Sequence, residues 1–404
     1  MRAFVRMGCW EAMLAGTGCV WEHYYFGEAI ADAFMDTGIT GTIAPTLQDL
    51  SGPGLSLAGC GWEDTLRTTM AIHCNETLRS KGIVAALGPH ATDTVSPCLW
   101  QAVAEAAAGW GLPIHAHVSQ SIEEFERIRE RHGKSPVELL KDAGVLDSSA
   151  SMLMVHSMFL SKRDLALLQP GKHVLGLCPA SAVQFGFPCN YAGWREAGLT
   201  VALGTDAACS NDNMDVQGEL RLLAGGGVFG VWSSAQHSEF FGDGSDAAAA
   251  AVQAKRQELL AAGADWNKPS ELLQCVTTVP GALHQGLAVG SIREGALANL
   301  LFVRLDHPNM WPRFVTFLGV RGWDGGVGGW VGVRVGVLQL YAPPSLDSPA
   351  CAHTHTHTHT HTQTRAHALS HFHTRTVTHS HMHTCTQPCP SPRHVLFRSR
   401  SCYR

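Results

Sequence analysis

No apolar run in the sequence approaches the ~20 residues of a membrane-spanning helix, so no spanning segment is expected. Paired Cys-x-x-Cys spacings are also missing. Cys9, Cys19, Cys60, Cys74, Cys98, Cys178, Cys189, Cys209 and Cys275 are scattered without pattern. That excludes a zinc knuckle and suits reduced, buried thiols in the cytoplasm. Strong charge of one sign is lacking as well. A formal net charge of −5 argues against a nucleic-acid binder. With 45% hydrophobic residues in 404, the chain is neither disordered nor collagen-like as a whole, and it is long enough to bury a sizeable core.

What is present is unevenly spread. Twelve of the 23 histidines lie between His353 and His394. Residues from Phe314 to Arg404 hold eight Lys+Arg and two Asp+Glu, leaving 21 basic against 32 acidic residues elsewhere, the balance of an ordinary acidic enzyme. Ser345–Arg404 is low in complexity, with strict His-Thr alternation from His353 to Thr362, and has no pattern able to pack a core. Three readings of that tract stand: a metal-buffering tail, a solvated linker, or a CA dinucleotide repeat translated in error, the last preferred. The expected division is 1–312, with 287–312 opening a small β domain, and a Gly/Val-rich then His-Thr-rich tail over 313–404.

At the start, Arg2 and Arg6 precede a weakly apolar stretch. A signal or transit peptide would begin this way. A first helix fits better, because Trp10, Met13 and Leu14 fall at helical spacing and Gly16 can end it. Apolar runs follow at Cys19–Trp21, Gly41–Ala44, Ile83–Leu87, Pro113–Val118, Ser151–Val155, His173–Leu177 and Thr200–Leu203. Helical patterns lie between them, including Phe26–Asp36, Ser96–Trp110 and Ile122–Ala143. Further helices are expected at Ala247–Ala251 and Pro269–Gly286, and a turn and strand pair at Gly290–Val303. Strands alternating with helices predict a parallel sheet of βαβ units. Seven strands is one short of a (β/α)8 barrel.

Polar residues capable of binding a metal end several of these runs. His115-Ala-His117 places two imidazoles on one face of a strand. Alone, the pair is a weak signal. His90, His156 and Asp206 end three other runs, and a strand-end Asp after four apolar residues is costly to bury unless paired or metal-bound. Each residue alone reads equally as a cap or a strand-end hydrogen bond. His23 reads as a hydrogen-bonded structural histidine rather than a pocket residue. Glu219 and Arg221 read as helix ion pairs. Ser210-Asn-Asp-Asn-Met-Asp215 is a polar turn.

Leu87-Gly-Pro-His-Ala, Pro113-Ile-His-Ala-His-Val-Ser-Gln, Val155-His-Ser and Leu203-Gly-Thr-Asp-Ala-Ala-Cys-Ser-Asn stand in an order that resembles the amidohydrolase superfamily. The branch is that of cytosine, guanine and methylthioadenosine deaminases and triazine hydrolases. Gly281-Ala-Leu-His-Gln-Gly-Leu with Gly290-Ser-Ile-Arg-Glu-Gly resembles the family's exit from the barrel. The resemblance implies a TIM-like (β/α)8 barrel of the metal-dependent hydrolase type and one divalent metal, zinc or alternatively iron. It implies His117 and Asp206 as metal ligands and His156 as holding water or substrate. His90 becomes a substrate contact, and Ser210 and Asn211 lie in a loop that reaches substrate. The implied substrate is an aminated or chlorinated nitrogen heterocycle attacked by metal-activated water. No nucleic-acid or membrane partner is implied, and a homodimer is left open.

Two departures accompany the resemblance. The family's first-strand H-x-H pair is not found, and its strand is expected to lie ahead of Met1, which makes the barrel N-terminally incomplete. Gln120 stands where deaminases of this branch carry Glu, and an amide cannot deliver a proton at neutral pH. An inactive barrel serving as a binding or scaffold protein is therefore the alternative.

Overall fold

A computed structural model describes residues 1–52, 55, 61–224, 254, 269–304, 330–334 and 337–338. They belong to one compact unit, Met1–Ala342. The second unit, Pro343–Arg404, carries the His-Thr tract and lies outside the described residues, as does the helix expected at Ala247–Ala251.

Each of the seven apolar runs forms a strand. They are β1 (Cys19–Tyr24), β2 (Thr40–Leu47), β3 (Ile83–Ala85) continued by β4 (Gly88–Pro89), β5 (Ile114–Val118), β6 (Met152–His156), β7 (His173–Leu177) and β8 (Thr200–Leu203). Every pairing among them is parallel and joins chain neighbours. Bridges Leu87↔Ile114 and Ala91↔His117 connect the first group to the second. This is the sheet of a TIM-like (β/α)8 barrel, and all strand C-termini face one mouth. Among the described residues no strand joins β8 to β1.

Helices cover the outside. They are α1 (Arg2–Leu14), α2 (Gly27–Thr37), α3 (Trp62–Cys74), α4 (Glu76–Ser80), α5 (Pro97–Trp110), α6 (Ile122–His132), α7 (Pro136–Asp142), α8 (Lys162–Leu167), α9 (Pro179–Phe185), α10 (Tyr191–Glu196), α11 (Ala208–Asn211), α12 (Val216–Ala224), α13 (Pro269–Cys275) and α14 (Thr278–Leu283). The long pattern over Ile122–Ala143 is two helices. Gly133, at φ 67°, ends α6, and Ser135 opens α7 with a capping box to Glu138 and Pro136 in the first turn. Pro269–Gly286 likewise divides into α13 and α14. No described helix is long and apolar enough to cross a membrane.

The period of two sorts each strand into faces. Ile114, Ala116 and Val118, with Met152, Met154, Leu175, Leu177 and Val201, join the large core with buried helix residues such as Trp100, Val137 and Trp194. The opposite face gathers Leu153, Val174 and Ala202 with Trp21 and Val155, closed by Leu283 and Val279 of α14. That inner layer is the apolar floor beneath the mouth. His284, after α14, holds its Nδ1 at 3.0 Å from Thr42 Oγ1 on the inner side of β2.

A separate antiparallel sheet joins β9 (Leu300–Arg304) to β10 (Trp330–Arg334), and β10 to β11 (Val337–Leu338). The turn and strand expected over Gly290–Val303 are both present, the strand being β9, whose partner comes from beyond residue 312. Cys9, Cys19, Cys178, Cys189, Cys209 and Cys275 carry free thiols, whereas Cys74 and Cys98 are disulfide-bonded, against the expectation of reduced thiols.

Candidate active site

The backbone leaves its ordinary range where the strands end. Ser119 after β5, His156 and Ser157 at the end of β6, and Asp206 after β8 have φ of 51°, 71°, 54° and 57°. Left-handed backbone at a non-glycine residue is strained, and such strain gathers where side chains must be aimed. Here it turns the chain at three strand ends and keeps His156 and Asp206 at the mouth.

Imidazoles meet there. The His117 ring lies 4.9 Å from His23, 5.2 Å from His90 and 5.5 Å from His156, the last stacked at 15°. His23 also lies 5.1 Å from His115. Strand register places His117 opposite Val155 and His115 one layer deeper, opposite Leu153. His115 therefore belongs to the floor, edge-on to Trp21.

Burial holds the rings neutral. It pushes His90 and His115 down to about 3, with the neighbouring His117 adding to the effect. His23 is driven well below the usual range by burial and by His117, His115 and His90. His117 is lowered by burial, against the pull of the His90 carbonyl and Asp206. His156 falls to about 4 through burial and His117, although Asp206 favours its charged form. Burial alone would raise Asp206. His156, the Ser181 hydroxyl and the Ala207 N–H outweigh it, and the carboxyl is held below its ordinary value. Ser181 Oγ donates to Asp206 Oδ2 at 2.7 Å, and Ala207 N–H donates to Oδ1 at 2.7 Å.

These donors suit a divalent metal in kind. His117 Nδ1 lies 2.8 Å from the His90 carbonyl, which can only accept, so Nδ1 carries the proton and Nε2 the lone pair. Neutral imidazoles and an ionised carboxylate are zinc ligands. Among the described residues no three His, Cys, Asp or Glu side chains converge closely enough to hold a metal as they stand.

The other expected residues fall in different places. His90 is half-buried at the mouth, its Nδ1 2.8 Å from Thr94 Oγ1. Gln120 follows β5 and donates its backbone N–H to Glu124 Oε2 at 2.7 Å. Glu124 also accepts from the Ser119 N–H at 3.1 Å and from the Thr92 hydroxyl, tying the loop after β4 to the loop after β5. Ser210 and Asn211 are buried in α11. Ser210 Oγ donates to the Ala207 carbonyl at 3.0 Å, and Asn211 Nδ2 reaches the Thr205 carbonyl and Glu219 Oε1, both at 2.7 Å. Among the described residues Glu219 forms no ion pair. It is 1% exposed and accepts from Ala180 N–H and Asn211, where a helix-surface or inter-helix ion pair was expected. His23 is buried among the other rings; the Gly88 backbone pulls its proton affinity up, although neither ring nitrogen makes a well-formed hydrogen bond. Its signal in the sequence was Trp21-Glu-His-Tyr-Tyr at a strand end.

The profile of the amidohydrolase family matches residues 2–321. The chain belongs to the amidohydrolase family. A 5-methylthioadenosine/S-adenosylhomocysteine deaminase of Thermococcus onnurineus is 29% identical over 309 residues, which cover 76% of this chain and 63% of that protein. A 5′-deoxyadenosine deaminase of Methanopyrus kandleri is 28% identical over 216 residues, 53% of this chain and 48% of the relative. This amidohydrolase chain thus spans less than two thirds of the length of these curated relatives. Among solved structures, a zinc-bound adenosine deaminase from Xanthomonas campestris superposes with a TM-score of 0.62 at 21% identity, covering 86% of this chain and 72% of that one. Zinc-complexed atrazine chlorohydrolase from Arthrobacter aurescens gives 0.59 at 18%, covering 84% and 72%. The shared fold is the barrel described above.

Proposed function

We propose that this chain carries the hydrolytic site of an enzyme acting on carbon–nitrogen bonds, other than peptide bonds, in a small aminated or halogenated nitrogen heterocycle of the purine, pterin or triazine kind. One observation carries the reading. Ionised Asp206 and neutral His117 and His156 meet at the C-terminal mouth of a parallel barrel, where such folds do their chemistry. The deaminase names of the relatives support the substrate class.

His117, through Nε2, and Asp206 would hold a divalent metal, zinc in this proposal. The metal, when bound, supplies a water acidified enough to react at neutral pH. The chain does the rest. Asp206 keeps lone pairs beyond those engaged by Ser181 and Ala207, and these can take a proton. His156, neutral and beside Asp206, is placed to receive that proton at a ring nitrogen and pass it to the departing group. Gln120 offers an amide N–H or C=O to a ring nitrogen of the heterocycle, orienting it without proton transfer. His90 borders the same space. Ser210 and Asn211 act through the backbone that carries Asp206, since their side chains are spent on protein partners.

Metal content and product release from adenosine-type nucleosides, guanine, pterins and triazines test the reading. The expected result is ammonia or chloride release that disappears in His117→Ala and Asp206→Ala. Metal-loaded protein that releases neither from any of these substrates overturns it.

A further inference from the structure

Helix α1 is apolar on two opposite sides. Cys9 and Ala12 are buried in the core, with Val5 and Met13 packed against it. At about 3.6 residues per turn, Phe4, Met7, Trp10 and Leu14 fall on the far side. They and Met1 are exposed, from 42% at Met1 to 86% at Leu14. A surface helix ordinarily turns polar and charged residues outward there. Here the charges are engaged within the chain. Arg2 pairs with Asp32 and Asp36 of α2, and Arg6 with Asp36. Glu11 Oε1 accepts from the Met214 N–H at 3.3 Å.

The size of this face bears on what covers it. At roughly 200 Å² for each large apolar residue, the five expose about 650 Å², above the roughly 300–600 Å² of the largest patch on an ordinary monomer. Two such faces together would remove about 1,300 Å² from water, within the roughly 1,200–2,000 Å² of a stable protein–protein interface.

The pattern is also self-complementary. Phe4 and Trp10 lie three residues either side of Met7. An antiparallel pair of α1 helices with its twofold axis at Met7 sets Phe4 of each copy toward Trp10 of the other, and Met7 toward Met7. Gly8 leaves open space beside Met7, with nothing within 4 Å of where a Cβ would sit. In this order Glu11 faces Ala3 of the other copy, so the two carboxylates stand about 12 Å apart along the axis. A parallel pair would bring them together. Other occupants fit less well. Helices that lie on lipid carry free Lys or Arg beside the apolar face, and both arginines here are spent on aspartates. The His-Thr-rich segment has no periodic apolar pattern to match the stripe.

We propose that the outer face of α1 is the twofold interface of a homodimer, two copies of this chain packing their α1 helices antiparallel through Phe4, Met7 and Trp10.

Sedimentation equilibrium of the full chain at micromolar concentration tests it, with circular dichroism to show that each variant is folded. The natural chain is expected at twice the chain mass. Met7→Glu sets two carboxylates against each other at the axis and should weaken the dimer at least tenfold, as should Met7→Lys. An equimolar mixture of the two variants should regain the dimer. A natural chain that sediments as a monomer, or as an open series of aggregates, overturns the proposal. So does a monomer that instead pellets with phosphatidylcholine–phosphatidylserine vesicles, which would assign the face to lipid. A dimer whose affinity in Met7→Glu stays within twofold of the natural chain lies on another surface and overturns it as well. A mixture that stays monomeric overturns the antiparallel pairing at Met7. Should Met7→Glu fail to fold, Trp10→Ser is read by the same criteria.

Discussion

Acid should unfold the metal-free protein through its buried imidazoles. His90 and His115 titrate at about 3, and His156, His173 and His284 at about 4, against an ordinary 6.5. Below 6.5 the unfolded chain takes up protons that the folded one refuses, so stability is full above pH 6.5 and falls as pH drops toward 3–4. Each ring costs up to about 1.4 kcal/mol per pH unit in that window. Two carboxyls oppose the trend. Burial pushes Glu22 and Glu124 up to about 7 from 4.5, so between those values the folded state holds the extra protons and gains stability as pH falls. Allowing for the partial titration of each group, the imbalance is a net loss of about 2–3 kcal/mol between pH 6.5 and 5.5, and about 6 by pH 4.5. Total stabilities of about 5–15 kcal/mol make that decisive. With a urea slope of about 2–3 kcal/mol/M, the midpoint should fall by about 1 M from pH 7.5 to 5.5. Urea denaturation of chelator-treated protein, followed by circular dichroism, measures it. A midpoint that is flat or rises across that interval would show that the imidazoles are not held neutral by the fold.

Three further outcomes are expected. Glu124→Ala strips the acceptor from the Ser119 and Gln120 N–H groups and the Thr92 hydroxyl; at about 1–3 kcal/mol per buried unmet donor, the loss should be about 3–5 kcal/mol at pH 6, and a urea midpoint shift worth under 1 kcal/mol would refute it. Gly88→Ala puts a Cβ 2.6 Å from the Ala44 and Pro45 carbonyl oxygens, so about 1–3 kcal/mol should be lost, whereas an unchanged midpoint would mean the strands part freely there. Ser181→Ala removes the hydroxyl donated to Asp206, which should move the acid limb of the pH profile of kcat/KM upward; a stationary limb would detach Asp206 from that limb.

The strands were legible because a sheet covered on both faces needs consecutive apolar residues, and several of the seven runs show them, whereas Pro113–Val118 alternates Ile, Ala and Val with two histidines. His90, His117, His156 and Asp206 were legible for the same reason, as polar residues that interrupt an apolar run where it ends. His23 was not. Glu22 and Tyr24 flank it, so its strand offers little apolar contrast, and only the fold brings it beside residues about ninety positions away. Glu219 looked like a surface charge because its helix is amphipathic. Its burial depends on Ala180 and Asn211, which local pattern does not reveal. The break at Gly133 was hidden because apolar spacing resumes in phase with the preceding helix, leaving only the Gly and the Ser-Pro pair to mark it.

The neutral imidazoles have a consequence for what enters. Of the side chains placed at the mouth, His23, His90, His117, Gln120 and His156 carry no charge near pH 7, and Asp206 carries a negative one. Such an entrance sorts visitors by sign. It draws cations, so a metal would arrive ahead of any substrate.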